Sequence, residues 1–197
     1  MMSDTHTQTE INIRALARIQ VVKRRHSYIR PYNVRASFNS VGTGFIVSFG
    51  AFKTDASKVM LTLVTAAHVV AAAEKVTLRF PEIGRREFPA EVWRTSDQFD
   101  VALIICGIDK SLCQRARLTK LAVASIADIK SLKQGTKVQA YGYPTALDNA
   151  KASEGVYNGL EEHALMHDAA TSPGPSGAPL AAMELNKVTG AARRTTV

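Results

Sequence analysis

The sequence predicts an all-β fold, a barrel or a sandwich. Two observations carry this. Short β-type runs, KVTLRF (75–80), REFPAEVW (86–93) and DVALIIC (100–106), follow one another with polar turns between them. Apolar residues make up 46% of the 197 residues and charged residues 21%, with no low-complexity block. That supplies one substantial core or two small ones and argues against wholesale disorder.

The remaining elements follow in chain order. Residues 1–10 are polar and are expected to fray. ALARIQVV (15–22) is a first apolar strand, and Pro31-Tyr32-Asn33 marks a turn. VGTGFIVSF (41–49) opens on paired glycines and continues as a strand, and AFKTDAS (51–57) is a loop. VMLTLVTAAHVVAAA (59–73) begins with β-rich residues and ends in alanines, so a strand runs into one helical turn near Ala66–Ala72. Residues 107–120 are charged and mostly polar, a connector between two halves. LAVAS and the polar IADIKSLKQGTK come next, then VQAYGYP (138–144), a strand ending at a turn. Residues 153–170 are mixed, and PLAAMELNKVTGA (179–191) reads as a hairpin turning near Asn186-Lys187. No repeat recurs at a fixed period. The expected division is a polar segment at 1–14, a first unit at 15–110 holding His68 and Asp100, and a linker with a second unit at 111–197 holding Ser176.

The net charge is +8, which admits acidic partners. Residues 1–40 carry Arg14, Arg18, Lys23, Arg24, Arg25, Arg30 and Arg35 against Asp4 and Glu10, a net +5. Lys23-Arg24-Arg25 reads either as a solvated strand end or as a basic arm touching nucleic acid or an acidic partner. The run is short and no nucleic-acid motif accompanies it. Cys106 and Cys113 are too few for a disulfide framework, and Cys106 ends an apolar run as a buried thiol. No apolar leader follows the first methionines and no window supplies the roughly 20 apolar residues of a membrane helix. The expectation is a reducing, intracellular compartment and no membrane span.

One stretch looks at first like a spacer. TSPGPSGAPL (171–180) holds three prolines, two glycines and two serines. Yet Gly174, Ser176, Gly177 and Pro179 spell G-x-S-G-x-P, a turn able to present a nucleophilic hydroxyl. Serine nucleophiles need an imidazole to take the proton, an acid to fix its tautomer, and N–H groups aimed at the developing oxyanion. His68 in TAAHVV (65–70) sits where a strand meets the alanine-rich turn. Asp100 stands just before an apolar run, where a carboxylate requires a partner. Asp97, in the polar turn, is the rival acid. The hole would be formed by the N–H groups of Gly174 and Ser176; Pro175 has none.

The order His68, Asp100, Ser176 is that of the chymotrypsin group. GTGFIV (42–47), TAAHVV, DVALI, AYGYP (140–144) and HDAATSPGPSGAPL (167–180) are similar, in collinear order, to motifs of its bacterial-type branch, the HtrA-like and related short trypsin-like peptidases. The resemblance implies two six-stranded antiparallel β-barrels with the site in the cleft between them. It also implies a polypeptide substrate and no cofactor. His68 and Asp100 would come from the first barrel and Ser176 from the second. Ala170, Thr171 and Ser172 resemble the floor and wall of the primary specificity pocket. None is acidic, so the side chain accepted there is expected to be a small or medium apolar one.

Some positions depart from the family pattern. Pro175 stands where vertebrate trypsins carry Asp and HtrA-type enzymes usually Asn, so an Asp-based activation switch is not expected. Ala178 replaces a Gly. Few residues follow 191, so the second barrel is expected to be either truncated at its C-terminal end, completed by a partner, or closed by a local variation. His163 is either an ordinary strand histidine or one that reaches the specificity pocket. His163 and His167 are spaced i, i+4, but extended structure is expected there and no metal site. The reading is a serine endopeptidase; a non-catalytic binding module and a self-processing domain that cuts once stay open beside it.

Overall fold

A computed structural model describes residues 12–23, 37–144, 147–162, 164–169, 176–182, 185 and 187–191. The first unit is a closed six-stranded barrel of β1 (Leu16–Lys23), β2 (Phe38–Ala51), β3 (Lys58–Thr65), β4 (Ala73–Arg79), β5 (Glu87–Ser96) and β6 (Val101–Asp109). Its strands run antiparallel in the order β1-β2-β3-β6-β5-β4. Alternation decides which side chains fill it. In β6, Ala102, Ile104, Cys106 and Ile108 point inward between half-buried neighbours. Ala17, Ile19 and Val21 of β1 and Leu61 and Leu63 of β3 meet them in the core. Phe80 and Phe88 close the far side edge-to-face, with ring centres 5.9 Å apart.

The second unit is a five-stranded antiparallel sheet ordered β11-β10-β7-β8-β9. Its strands are β7 (Lys137–Gly142), β8 (Lys151–Glu161), β9 (Ala164–His167), β10 (Pro179–Ala182) and β11 (Lys187–Ala191). Of the mixed stretch 153–170, residues 153–161 lie in β8 and 164–167 in β9, which makes the expected extended structure at His167. β10 and β11 pair antiparallel as the two strands of the expected hairpin, with Lys187 the first residue of β11; Asn186 lies outside the described residues. Val138, Ala140, Tyr157, Leu180 and Ala182 form this unit's own small core.

Among the described residues three short α-helices interrupt the strands, and only one is expected from the sequence. The turn after β3 is α1 (Ala67–Val70), as its alanines predict. The polar connectors also hold α2 (Lys110–Arg115) and α3 (Ile126–Ser131). In α3 the Ser125 hydroxyl accepts from the Asp128 N–H while the Asp128 carboxylate accepts from the Ser125 N–H. This capping box satisfies two end groups that so short a helix would otherwise leave open.

A second apolar cluster joins the two units. Leu16 and Phe45 from the outer face of the barrel meet Tyr143, just after β7, and Ala181 and Val188 of the sheet. The connector stitches across the same joint. Leu121 N–H donates to the Ile46 carbonyl at 2.8 Å, and Ala124 N–H donates to the Val188 carbonyl at 2.8 Å.

Candidate active site

The site begins where β3 ends. Val69 and Val70 of α1 are buried in the mouth of the barrel, which leaves the His68 side chain 44% exposed. Apolar neighbours on both sides of an exposed imidazole fix the backbone while the ring faces out.

Asp100 closes the turn before β6, and its N–H donates to the Asp97 carbonyl at 3.2 Å. Its φ is +51°, left-handed backbone that Asp tolerates better than most side chains. That geometry turns the residue back onto α1. The Asp100 carbonyl accepts from Ala67 N–H at 3.1 Å. Oδ1 accepts from the His68 main-chain N–H at 2.9 Å, and Oδ2 lies 2.9 Å from His68 Nδ1. A carboxylate only accepts, so Nδ1 carries a proton; in the neutral imidazole of that tautomer the lone pair is on Nε2. Asp97, the other candidate acid, contributes its carbonyl to the turn.

Ser176 belongs to the second unit but is docked on the first. Its carbonyl accepts from Thr43 N–H at 2.9 Å. Gly177, next in the chain, has φ +83°, and a Cβ there would run into Thr65 Oγ1 and the Thr43 carbonyl. Gly42 separates the two halves of the site: a Cβ on it would come 2.5 Å from a Val69 methyl and 3.3 Å from the Ser176 carbonyl. The GTG of β2 therefore lies between the helix that carries His68 and the turn that carries Ser176.

Thr43 is the hub of this joint, a role that its place in the GTG segment does not announce. Fully buried, it accepts from Thr65 Oγ1 at its carbonyl (2.7 Å) and from Tyr143 N–H at its hydroxyl (2.9 Å). Asp168 is likewise only part of a longer motif in the sequence. Its Oδ1 accepts from Val156 N–H at 2.6 Å, pinning the end of β9 to β8. Gly155 permits this, because a Cβ would strike Asp168 Oδ1 and the Ala169 N–H. Asp168 and Ser176, on either side of residues 170–175, are thus each held by a hydrogen bond. Gly174, Ala170, Thr171, Ser172 and His163 lie outside the described residues. His167 is half-buried in β9, and desolvation lowers its pKa below the ordinary 6.5 while Asp168 opposes the shift.

The basic N-terminal residues are only partly described. Arg14 lies 3.9 Å from Glu82, Arg18 contacts Asp148 at 2.5 Å, and Lys23 donates to the His68 carbonyl at 2.9 Å. Arg24, Arg25, Arg30 and Arg35 lie outside the described residues. Among the described residues no cluster of three metal-ligating side chains occurs, and no helix is long and apolar enough to cross a membrane.

The family model for a trypsin-like peptidase domain matches residues 42–190. The chain belongs to the trypsin-like peptidase family. The match runs from Gly42 of the GTG segment to β11, so it takes in His68, Asp100 and Ser176. It does not single out the HtrA-like branch. No curated protein matches the chain. As in any trypsin-like peptidase domain, the substrate is a polypeptide.

Proposed function

We propose that the protein is a serine endopeptidase acting through His68, Asp100 and Ser176. The observation that carries this reading is the double contact of Asp100 with His68, beside an α1 that is separated from the Ser176 carbonyl only by Gly42. Ser176 Oγ attacks the scissile carbonyl carbon while His68 Nε2 takes the hydroxyl proton. The tetrahedral oxyanion is held by the N–H groups of Gly174 and Ser176. As the C–N bond breaks, His68 returns the proton to the departing amine and an acyl-Ser176 ester remains. Water, deprotonated by His68, hydrolyses that ester and restores the hydroxyl. Asp100 holds the Nδ1–H tautomer throughout and stabilises the imidazolium. Ala170, Thr171 and Ser172 would line a pocket for a small or medium apolar side chain.

Labelling with a fluorophosphonate tests the nucleophile. Wild type should label, and Ser176→Ala and His68→Ala should not. Label retained by Ser176→Ala would remove Ser176 from the role. A wild-type protein that takes no label would leave a binding module on the same fold.

A further inference from the structure

We propose that Lys23 is a positioning residue for His68, mounting the general base from the end of α1 remote from its N–H. The proposal rests on the serine-peptidase reading for its function and on geometry for its existence. Three contacts hold the His68 residue. Its N–H and Nδ1 both go to Asp100, and its carbonyl accepts from Lys23 Nζ at 2.9 Å. In a helical turn the N–H and C=O of one residue point in opposite directions along the axis. Asp100 and Lys23 therefore restrain the same residue from opposite ends.

The place of Lys23 in the sheet explains why a lysine is found there. Alternation along β1 sends Ala17, Ile19 and Val21 into the barrel, and Lys23 continues that row at the barrel mouth. The register between β1 and β4 slips between Val22 and Lys23, which sets Lys23 opposite Ala73, just after α1 and the left-handed Ala72. Lys23 is half-buried there, and that partial burial lowers its pKa. It needs an acceptor. A one-turn helix leaves its last carbonyls without partners of their own, and a lysine near a helix C-terminus is a favoured donor to them. His68 offers that carbonyl. The charged tip fixes the peptide plane on which the imidazole is mounted. Small displacements of a catalytic group cost much in rate, so a contact that touches no substrate can still govern turnover.

Lys23→Met keeps the stem and removes the donor; Lys23→Arg keeps a donor. Fluorophosphonate labelling rates and kcat and KM on a peptide ester are measured for both, with the thermal midpoint as a check on folding. Lys23→Met should lower the labelling rate and kcat about tenfold, equivalent to about 1.4 kcal/mol. KM should stay within about twofold, and Lys23→Arg should recover most of the loss. Labelling of Lys23→Met at the wild-type rate, or a loss that Lys23→Arg does not recover, would overturn the proposal. An activity-free readout separates this from failure of the peptidase reading. The downfield proton resonance of His68 Nδ1–H should broaden in Lys23→Met and sharpen again in Lys23→Arg. A resonance unchanged in Lys23→Met overturns the positioning role even if wild type never labels.

Discussion

Asp100 grips His68 twice, at the main-chain N–H and at Nδ1, each at 2.9 Å, and it does so from a left-handed backbone. The side chain and the conformation are separate requirements, and two substitutions separate them. Asn tolerates φ near +51° and matches Asp in shape. Asp100→Asn should therefore keep the thermal midpoint within a few degrees while lowering kcat by about 10⁴-fold, because the wrong tautomer of His68 is held. Asp100→Ala should lose activity and, in addition, about 1–2 kcal/mol of stability from backbone strain. Denaturant melts beside ester turnover would check both, and an active Asp100→Asn would remove Asp100 from the proposed triad.

The joint around Thr43 should be sensitive in a different way. Thr43→Val removes the hydroxyl that satisfies Tyr143 N–H in a buried setting. The expected loss is about 1–3 kcal/mol, the desolvation cost of an orphaned donor. Gly177→Ala should be worse. It strains φ +83° and drives a methyl into β2 and β3. Urea unfolding of the two variants should rank them in that order; a Gly177→Ala protein as stable as wild type would refute the close approach.

A charged tie crosses the seam. Arg18 and Arg79 face each other across β1 and β4, with side chains 12% and 18% exposed, and both reach Asp148, which is 65% exposed. Asp148→Asn removes the carboxylate between two like charges. Because Asp148 itself is well exposed, the expected cost is about 1 kcal/mol, larger at low salt than at high. Adding Arg79→Met should restore part of it. Equal thermal midpoints for Asp148→Asn with and without Arg79→Met would show that repulsion is not the cause.

His167 gives a pH dependence whose sign is fixed by its burial. Its folded pKa lies below the ordinary 6.5, so the unfolded chain binds the proton more readily. Stability from this group is complete above about pH 6.5 and is lost as pH falls through the window down to the folded value. Thermal midpoints between about pH 7.5 and 5.5 should fall less in His167→Gln than in wild type. Parallel curves for the two proteins would contradict this assignment.

Much of the architecture is legible in the sequence because the relevant signals are local. The β3-to-α1 change at TAAHVV shows in its own residue types, and the alternation of β6 identifies its inward row. His68 and Asp100 stand out by their positions at strand ends. The roles of Thr43, Asp168 and Lys23 are not legible, since each depends on a distant segment: Tyr143 and Ser176 for Thr43, Val156 for Asp168, His68 for Lys23. Lys23 reads as a solvated strand end because closure of the barrel, which makes its row an inward one, is invisible locally. The helix at Ile126–Ser131 carries a readable Ser125-x-x-Asp128 cap, but its polar surroundings give no clear period of 3.6.

With the proposed triad, the segment Gly42–Thr43 couples cutting to cohesion. It touches the histidine-bearing helix on one side and the carbonyl of Ser176 on the other. At this joint the two units cannot separate without breaking the Thr43–Ser176 hydrogen bond. Residual turnover during heating should then track intact tertiary structure, with no inactive but still-folded stage before melting. A phosphonyl group trapped on Ser176 should raise the melting of barrel and sheet in one step, because the same few atoms fasten both.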